Sequence, residues 1–312
     1  MTISDPLNPS KFAADCQDIL ISDTGQSRTF TLLKDGTPIM SETYNYDADG
    51  NIRITGLADV LIQSLYGELK EGEQSHATAT FEFQIDGVTQ FRKSVCSMRL
   101  QNVKDPDGEK LVLVAGTNGV CYADVPLLMT VIGSVSARIC RPGVVISQTT
   151  IGESGKVMTV DCDPKKLFPS HYRQGTYMVV GEEITRTILH QACDDAVTVR
   201  FLNRYDMPES VTAAYWTEKP AVSDDTALMY GRKTRFSVKS ATDYTLYSGP
   251  MRSERQFDTW QDLLTSRRAQ LLWRDQWIDI VITKSNYTRH RRQFHLSQAE
   301  ITFQTANPLM TI

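Results

Sequence analysis

The sequence lacks the features that usually place a chain among secreted or membrane-spanning proteins. Its six cysteines are scattered, and no two of them form a Cys-x-x-Cys pair. No apolar run reaches the roughly eighteen residues that a transmembrane helix needs. The opening segment MTISDPLNPSKFAAD is polar and unlike a secretory signal. We therefore expect reduced, partly buried thiols in a protein that folds in the cytoplasm.

The chain also lacks a strong net charge. Lys and Arg number 33 and Asp and Glu number 37, so the formal net charge is −4. That charge is too small to draw the whole protein towards nucleic acid or an acidic membrane. From residue 251 onward, nine basic residues stand against six acidic ones. This distribution would suit head-to-tail contact between neighbouring copies, although a chance distribution of surface charge is the simpler explanation.

Motifs for covalent catalysis and phosphate binding are missing. Residues 152–155 (GESG) lack the spacing of a nucleophile elbow, and residues 115–119 (AGTNG) lack the lysine and hydroxyl group of a phosphate-binding loop. The acidic pairs at 182–183 and 224–225 are what a chain with 37 carboxylates contains by chance, and they are typical of solvated surface. The sequence predicts no enzyme and no cofactor.

Two groups of residues have some of the character of a metal site. Asp47, Asp49 and Asn51 place oxygen ligands at alternate positions, as calcium loops do, but a hairpin turn explains the same residues. His190 and Cys193 would supply two of the four ligands that zinc needs, and no second pair accompanies them. A turn and a structural His and Cys are therefore favoured, and no metal is expected.

The sequence is rich in the alternation that indicates β-strands. In residues 196–217 (AVTVRFLNRYDMPESVTAAYWT), Val197, Val199 and Phe201 alternate with polar residues, and a polar turn with Pro208 precedes a second apolar run. This pattern predicts a β-hairpin with one buried face. Asp-Gly pairs suit tight hairpin turns, and they separate β-like runs at 35–36, 49–50, 86–87 and 107–108.

Two segments have helical spacing of apolar residues. The first is 57–65, where Thr55 is a candidate N-cap and Gly67 a candidate helix stop. The second is 253–267, whose apolar face contains Phe257, Trp260, Leu263 and Leu264. The apolar stripe of the first helix is expected to pack against the preceding sheet.

These patterns predict a mainly β fold with a minor α component. We expect two antiparallel β-sandwich or barrel-like domains, each with one amphipathic helix. Residues 1–140 would form an N-terminal domain with a helix near 57–66, and residues 141–312 a C-terminal domain with a helix near 253–267. The segment Arg141-Pro142-Gly143 is the expected boundary, unless it is only a tight corner.

Basic and aromatic residues offer the remaining candidates for binding. The run 289–292 (RHRR) lies near Tyr287 and Phe294, a combination that suits nucleic acid, an exposed turn, or contact with an acidic neighbouring subunit. Trp260, Trp273 and Trp277 would suit a sugar-stacking platform, but core packing is favoured for all three. The sequence leaves these alternatives open.

Several stretches resemble proteins of one family. The segment FTLLKDGTPIMSETYNYDADGNIRIT, followed by a short helix, resembles the β-rich N-terminal module of tail-region structural proteins of tailed bacteriophages and prophages. The hairpin VRFLNRYDMPESV and the closing run from WIDIVITKSNY to AEITFQTANP are similar to later parts of such proteins. The resemblance implies a β-sandwich structural component that assembles with copies of itself or with neighbouring tail proteins. It transfers no functional position.

The resulting expectation is a tail, baseplate or connector protein of a phage or phage-like particle. It would fold in the host cytoplasm, enter the virion, and contact copies of itself and neighbouring particle proteins, with no membrane or nucleic-acid partner. The alternatives are a carbohydrate-binding or adhesion module that uses exposed Trp and Tyr, and a hydrolase with two converging carboxylates. The candidate interface residues are Tyr205, Asp206, Met207, Glu209, Tyr287, Arg289, Arg291 and Arg292.

Overall fold

The computed structural model describes residues 2–22, 25–99, 111–122, 124–173, 175–182, 184–189, 196–251, 254–287 and 298–307. Within these ranges the protein is mainly β, with several antiparallel sheets and three short α-helices. The expected fold class is confirmed. None of the described helices is long and apolar enough to span a bilayer.

The strands and helices follow one another in three consecutive portions of the chain. The first contains Thr2–Ile3 (β1), Ile19–Ser22 (β2), Arg28–Lys34 (β3), Thr37–Tyr44 (β4), Ile52–Ile54 (β5), Leu57–Ser64 (α1), Gly72–Glu73 (β6), Thr78–Ile85 (β7) and Val88–Cys96 (β8), with a 3-10 turn at Ala13–Asp15. The second contains Asn118–Tyr122 (β9), Leu128–Ile132 (β10), Val135–Arg141 (β11), Val144–Ile151 (β12), Val157–Asp161 (β13), Pro164–Leu167 (α2), Tyr177–Val180 (β14) and Ile184–Leu189 (β15). The third contains Val197–Leu202 (β16), Pro208–Ala213 (β17), Tyr215–Met229 (β18), Arg232–Tyr247 (β19), Glu254–Thr265 (α3), Ala269–Trp273 (β20), Gln276–Tyr287 (β21) and Ala299–Thr305 (β22).

The first portion confirms two of the four predicted Asp-Gly turns. Hairpins β3–β4 and β7–β8 reverse at 35–36 and 86–87 and form a sheet in the order β4-β3-β7-β8. Strand β5 leaves that sheet and pairs with β2 instead, so the meander expected across 49–50 does not form. Asp47 explains the difference, because its carboxylate accepts the N–H groups of Asp49 and Asn51 and closes a local loop. The pair at 107–108 lies outside the described residues.

Helix α1 forms where the apolar spacing predicts it, but its ends differ from the prediction. It begins after Gly56, whose φ of +78° suits glycine, and it ends at Ser64. Thr55 is therefore not the cap, and Gly67 does not stop the helix. Leu57 and Leu61 face the core as expected.

The predicted domain boundary falls inside a hairpin. Strands β11 and β12 pair from Val135↔Ile151 to Arg141↔Val144, so residues 142–143 form the tight corner that joins them. These strands belong to a sheet of order β12-β11-β14-β15-β9, in which β15 and β9 are parallel. A smaller sheet, β10-β13-β6, includes a strand from the first portion of the chain.

The third portion forms a curled sheet of seven strands in the order β17-β16-β20-β21-β22-β19-β18. Its two edges, β17 and β18, are separated in sequence only by Ala214. One stretch of chain therefore passes from one edge of the sheet to the other, which requires the sheet to bend back towards itself. Helix α3 packs Phe257, Trp260 and Leu263 into the interior of this curl. The barrel-like expectation is confirmed for this sheet.

The buried apolar residues form three main clusters, one in each portion. We call them the N-terminal core (within residues 7–95), the middle core (within 112–188) and the C-terminal core (within 197–303). A fourth cluster, the apolar joint, takes residues from all three portions: Phe12, Ala14, Ala77, Cys96, Met98, Leu113, Val157, Tyr205 and Met207. The described interior is thus organised around three cores and one shared cluster.

Candidate functional site

The turn between β16 and β17 lies where the three cores meet. The side-chain oxygen of Asn203 accepts the N–H groups of Tyr205 (3.0 Å) and Met207 (3.2 Å). The backbone N–H of Asn203 donates to the carbonyl of Met207, and that of Asp206 donates to the carbonyl of Asn203. Asp206 has a φ of +58°, which Asp tolerates better than most residues. These hydrogen bonds satisfy the backbone N–H groups of the turn, so a short polar segment can be buried.

An ion pair attaches this turn to helix α3. Arg204 donates its backbone N–H to Asp262 at 2.8 Å, and its guanidinium contacts both carboxylate oxygens of Asp262 at 2.7–3.0 Å. Asp262 is buried. This two-pronged geometry is the strong form of a charge-assisted hydrogen bond, so it holds the turn at a defined place along the helix.

Glu209 connects the hairpin to the middle portion and to α3. Its carboxylate accepts the backbone N–H of Ala115 at 2.8 Å, the side-chain amide of Asn203 at 2.9 Å and the hydroxyl of Thr259 at 3.2 Å. Burial raises the pKa of this carboxyl, while the hydrogen bonds from Ala115 and Asn203 oppose the increase. One buried side chain therefore links three separate parts of the chain.

Asp206 makes the corresponding link to the N-terminal portion. One oxygen of its carboxylate accepts the backbone N–H of Gly67 at 3.1 Å and a guanidinium N–H of Arg267 at 2.6 Å. Burial raises its pKa, and the contacts with Gly67 and Arg267 oppose that increase. A Cβ atom on Gly67 would lie 1.9 Å from the carbonyl oxygen of Asp206. The absence of a side chain at Gly67 is thus what allows the two segments to approach.

We use the name joint for two things together: the polar contacts made by residues 203–209, and the apolar joint defined above. Its apolar half includes the rings of Phe12 and Tyr205, whose centroids are 5.5 Å apart. Its polar half is the network around Asn203, Asp206 and Glu209. The joint holds three cores in one arrangement. Each of its buried carboxylates has a structural partner, although Oδ1 of Asp206 is buried without a hydrogen bond among the described residues.

Buried Arg186 supports the same region from the middle portion. Its guanidinium donates to the backbone carbonyls of Gly116 (2.9 Å), Thr117 (3.2 Å) and Thr185 (3.1 Å). Burial lowers its pKa, and the nearby charge of Glu209 opposes that change. Because its donors bind backbone carbonyls, Arg186 positions the segment before β9.

The pKa shift of Glu209 predicts a pH dependence of stability. A folded pKa above the ordinary value of 4.5 means that this carboxyl contributes stability fully below pH 4.5 and loses it as pH rises through the folded pKa. Arg186 favours the ionised form and Asp262 disfavours it. We therefore expect the wild type to gain stability relative to Glu209→Gln as pH falls from neutrality towards 4.5. The difference between their free energies of unfolding should increase over that range. Urea unfolding of both proteins across that range measures it, and a difference independent of pH contradicts the prediction.

Four of the eight predicted interface residues lie inside the joint. Tyr205, Asp206, Met207 and Glu209 are buried within the chain itself. The expectation that they form a surface for another subunit is corrected here, because their partners are the other portions of the same chain. The sequence could not distinguish the two cases, since a polar turn with Asn and Asp is usually a surface turn.

Of the other four candidates, one belongs to β21. Tyr287 is its last residue. Arg289, Arg291 and Arg292 lie outside the described residues, as do His190 and Cys193. In the part of the chain that the structure describes, no group of three or more His, Cys, Asp or Glu side chains is arranged to hold a metal ion. The five described cysteines are free and buried, and burial raises the pKa of Cys16, Cys96 and Cys121 to about 12.

The tryptophans are engaged within the C-terminal portion. Trp260 is buried in the C-terminal core, which confirms the core interpretation for it. The half-buried ring of Trp273 meets Trp216 edge-on at 5.5 Å, and Arg200 stacks over Trp277 at 4.2 Å. These contacts leave no row of coplanar exposed tryptophan rings among the described residues.

The structure also contains an exposed two-stranded ribbon that the sequence patterns did not reveal. Strand β19 pairs with β22 only over Tyr244–Tyr247, whereas β18 and β19 pair with each other from Tyr215↔Tyr247 to Met229↔Arg232. Residues 219–243, which we call the arm, therefore project beyond the sheet by roughly 35 Å at about 3.3 Å per residue. The turn Tyr230-Gly231 was missed because Tyr-Gly is not a typical hairpin pair.

The tip of the arm is apolar and exposed. Leu228 is 78% exposed, Met229 51% and Tyr230 100%. Tyr230 also has a φ of +52°, a region that aromatic residues seldom occupy and that costs about 1–2 kcal/mol for a residue with a Cβ atom. Asn or Gly would make this turn at lower cost, so the tyrosine side chain itself is the feature that needs an explanation.

A cleft of about 560 Å³ lies between the middle and C-terminal portions. Two strands at sheet edges, β9 and β17, form its walls, together with the start of α3. Its apolar lining comes from Val120, Val125, Leu127, Val211, Met251 and Trp260. The polar residues Tyr122, Thr187 and Gln256 also line it, as does buried Arg186. The mixture suits a partly apolar protein segment better than a charged small molecule.

With this geometry in place, the fold defines a mainly β protein with three joined cores, a projecting arm and an edge-walled cleft. Neither a protein-family model nor a curated protein matches the chain.

Proposed function

We propose that this chain is a structural assembly protein of a phage or phage-like particle, a component of the tail, baseplate or connector. It acts through protein–protein contacts with copies of itself and with neighbouring particle proteins. The proposal combines the resemblance of the sequence to tail-region proteins with one structural observation, the arm.

The arm supports an assembly role because it is poorly suited to remain in solvent. An isolated two-stranded hairpin is marginally stable in water. This one carries exposed Leu228, Met229 and Tyr230 at its end, and exposed apolar groups in contiguous patches mark interaction sites. A building block of a particle also needs a body whose parts keep a fixed arrangement. The joint supports the proposal because it holds the three cores together.

Two measurements test the proposal. Antibodies against the chain should label purified particles from the bacterium that encodes it, and mass-resolved sizing should show discrete oligomers of the purified chain. A chain that is absent from such particles and strictly monomeric would contradict the proposal.

A further inference from the structure

We propose that the arm tip of one copy docks into the cleft of a second copy of this chain. The inference deepens the proposed assembly function, on which it rests, by naming the partner of the arm. It commits to self-association, and binding of the tip to a different protein, a membrane or nucleic acid is an outcome that would overturn it.

The chemistry of the tip matches the chemistry of the cleft. Leu228, Met229 and Tyr230 present two flexible apolar side chains and one ring with a hydroxyl. The cleft offers an apolar lining for the first two and the exposed side chain of Thr187 for the hydroxyl. Tyrosine is enriched in interfaces because its ring buries a large area while its hydroxyl finds a hydrogen-bond partner. This pairing also explains why a tyrosine occupies a strained turn position.

The charge of the tip favours a second copy as the partner. Residues 226–235 contain Arg232, Lys233 and Arg235 and no acidic residue, so this segment carries +3. Because the whole chain carries −4, the remainder of each copy carries −7. Attraction between the basic tip of one copy and the acidic body of another increases the rate of encounter. The charged residue that lines the cleft, Arg186, is buried, and its guanidinium donates to three backbone carbonyls.

The backbone of the cleft also suits an incoming strand. Strand β9 is at the edge of its sheet, and edge strands are available for pairing with another chain. The first half of β17 is covered by β10, since Thr130 donates to the carbonyl of Pro208 and Ser210 accepts the N–H of Leu128. Strand β18 is itself the edge of the seven-stranded sheet along the whole length of the arm. An arm that enters the cleft can therefore add main-chain hydrogen bonds to its side-chain contacts.

The contact joins two different surfaces of the chain, so association does not stop at a dimer. Each copy has one tip and one cleft, and a head-to-tail contact of this kind closes into a ring or continues as a filament. This property agrees with a role in a tail or connector and distinguishes the contact from a simple two-fold dimer.

Cross-linking between two single-cysteine variants tests the proposal. One variant is Thr226→Cys, which is exposed near the tip and leaves Leu228, Met229 and Tyr230 in place. The other is Val120→Cys, which is in the cleft wall and 40% exposed. Both also carry Cys193→Ser, and the five described native cysteines are buried, so a short bis-maleimide reacts at the new sites. The control partner is Val88→Cys, which is 62% exposed in the β7–β8 hairpin, away from the cleft.

Mixing the tip and cleft variants is expected to give a covalent dimer in about tenfold or greater excess over the tip and Val88→Cys mixture, since docking raises the effective concentration of the two thiols. Equal yields, or no dimer from the tip and cleft mixture, would overturn the proposal. So would a wild-type chain that stays monomeric and uses the arm to bind only another partner.

A second pair of variants avoids chemical modification. Met229→Ser with Tyr230→Ser removes the apolar tip, and Val144→Ser with Val145→Ser removes two similarly exposed apolar side chains from the β11–β12 hairpin. Sizing should show weaker self-association for the tip variant and wild-type behaviour for the control. If both variants assemble like the wild type, the proposed contact between the arm tip and the cleft is wrong. The particle-labelling result stands independently, so failure of this inference is distinguishable from failure of the proposed function.

Discussion

Replacement of Gly67 by alanine is expected to destabilise the protein by about 3 kcal/mol, because overpacking costs about 1–3 kcal/mol and a clash with backbone belongs at the upper end of that range. The added Cβ atom would lie 1.9 Å from the carbonyl oxygen of Asp206. Relief requires the N-terminal portion to separate from the turn, which also breaks the hydrogen bond from Gly67 to Asp206. Chemical denaturation of the two proteins measures the difference.

A matched control is Gly36→Ala in the β3–β4 turn. Gly36 has a φ of +81° and open space around its Cβ position, so alanine there adds backbone strain of about 1–2 kcal/mol and no clash. The φ of Gly67 is not in the left-handed region, so the backbone conformation does not explain why a glycine stands at this position. If Gly67→Ala costs no more than Gly36→Ala, the close approach at the joint is not as described.

Replacement of Glu209 by leucine is expected to cost about 3 kcal/mol or more, because each buried donor left without a partner costs about 1–3 kcal/mol. The donors are the backbone N–H of Ala115 and the side-chain amide of Asn203, with the hydroxyl of Thr259 as a third. The loss should reduce the midpoint of urea unfolding for the whole chain, since Glu209 connects the hairpin with the middle portion and α3.

Glu209→Gln separates hydrogen bonding from charge. Its carbonyl oxygen can accept from Ala115 and Asn203 as the carboxylate does, and its NH₂ group can donate to the hydroxyl oxygen of Thr259. We expect stability within about 1 kcal/mol of the wild type at neutral pH, since the donors remain paired. Equal losses for the leucine and glutamine variants would show that the negative charge, rather than the hydrogen-bond network, is what stabilises this site.

Much of the fold follows from local pattern. Alternating apolar residues and Asp-Gly turns predicted the β3–β4 and β7–β8 hairpins, because both signals act within a few residues. Helical spacing predicted α1 and α3 for the same reason. The hairpin at 196–217 also forms where its pattern placed it.

The contacts between distant segments were not predictable in this way. Gly67 and Asp206 are 139 positions apart, and Ala115 and Glu209 are 94 apart. No periodicity encodes such pairs, so a hairpin turn that looks exposed in sequence is buried in the fold. The sequence patterns did not predict the arm either, and in this case the reason is local. Its strands have weak apolar alternation because both faces meet solvent near the tip, and Tyr230-Gly231 is an unusual turn pair.

The central claim is that the turn at 203–207 is an internal joint of the folded chain, and amide hydrogen exchange tests it most directly. All five backbone N–H groups of this turn donate hydrogen bonds to the same chain. In the isolated chain we expect these amides to exchange as slowly as those of the core strands β16 and β20, with no further slowing upon assembly. Fast exchange in the isolated chain that becomes slow only in assembled particles would contradict the account and restore the turn as a contact surface.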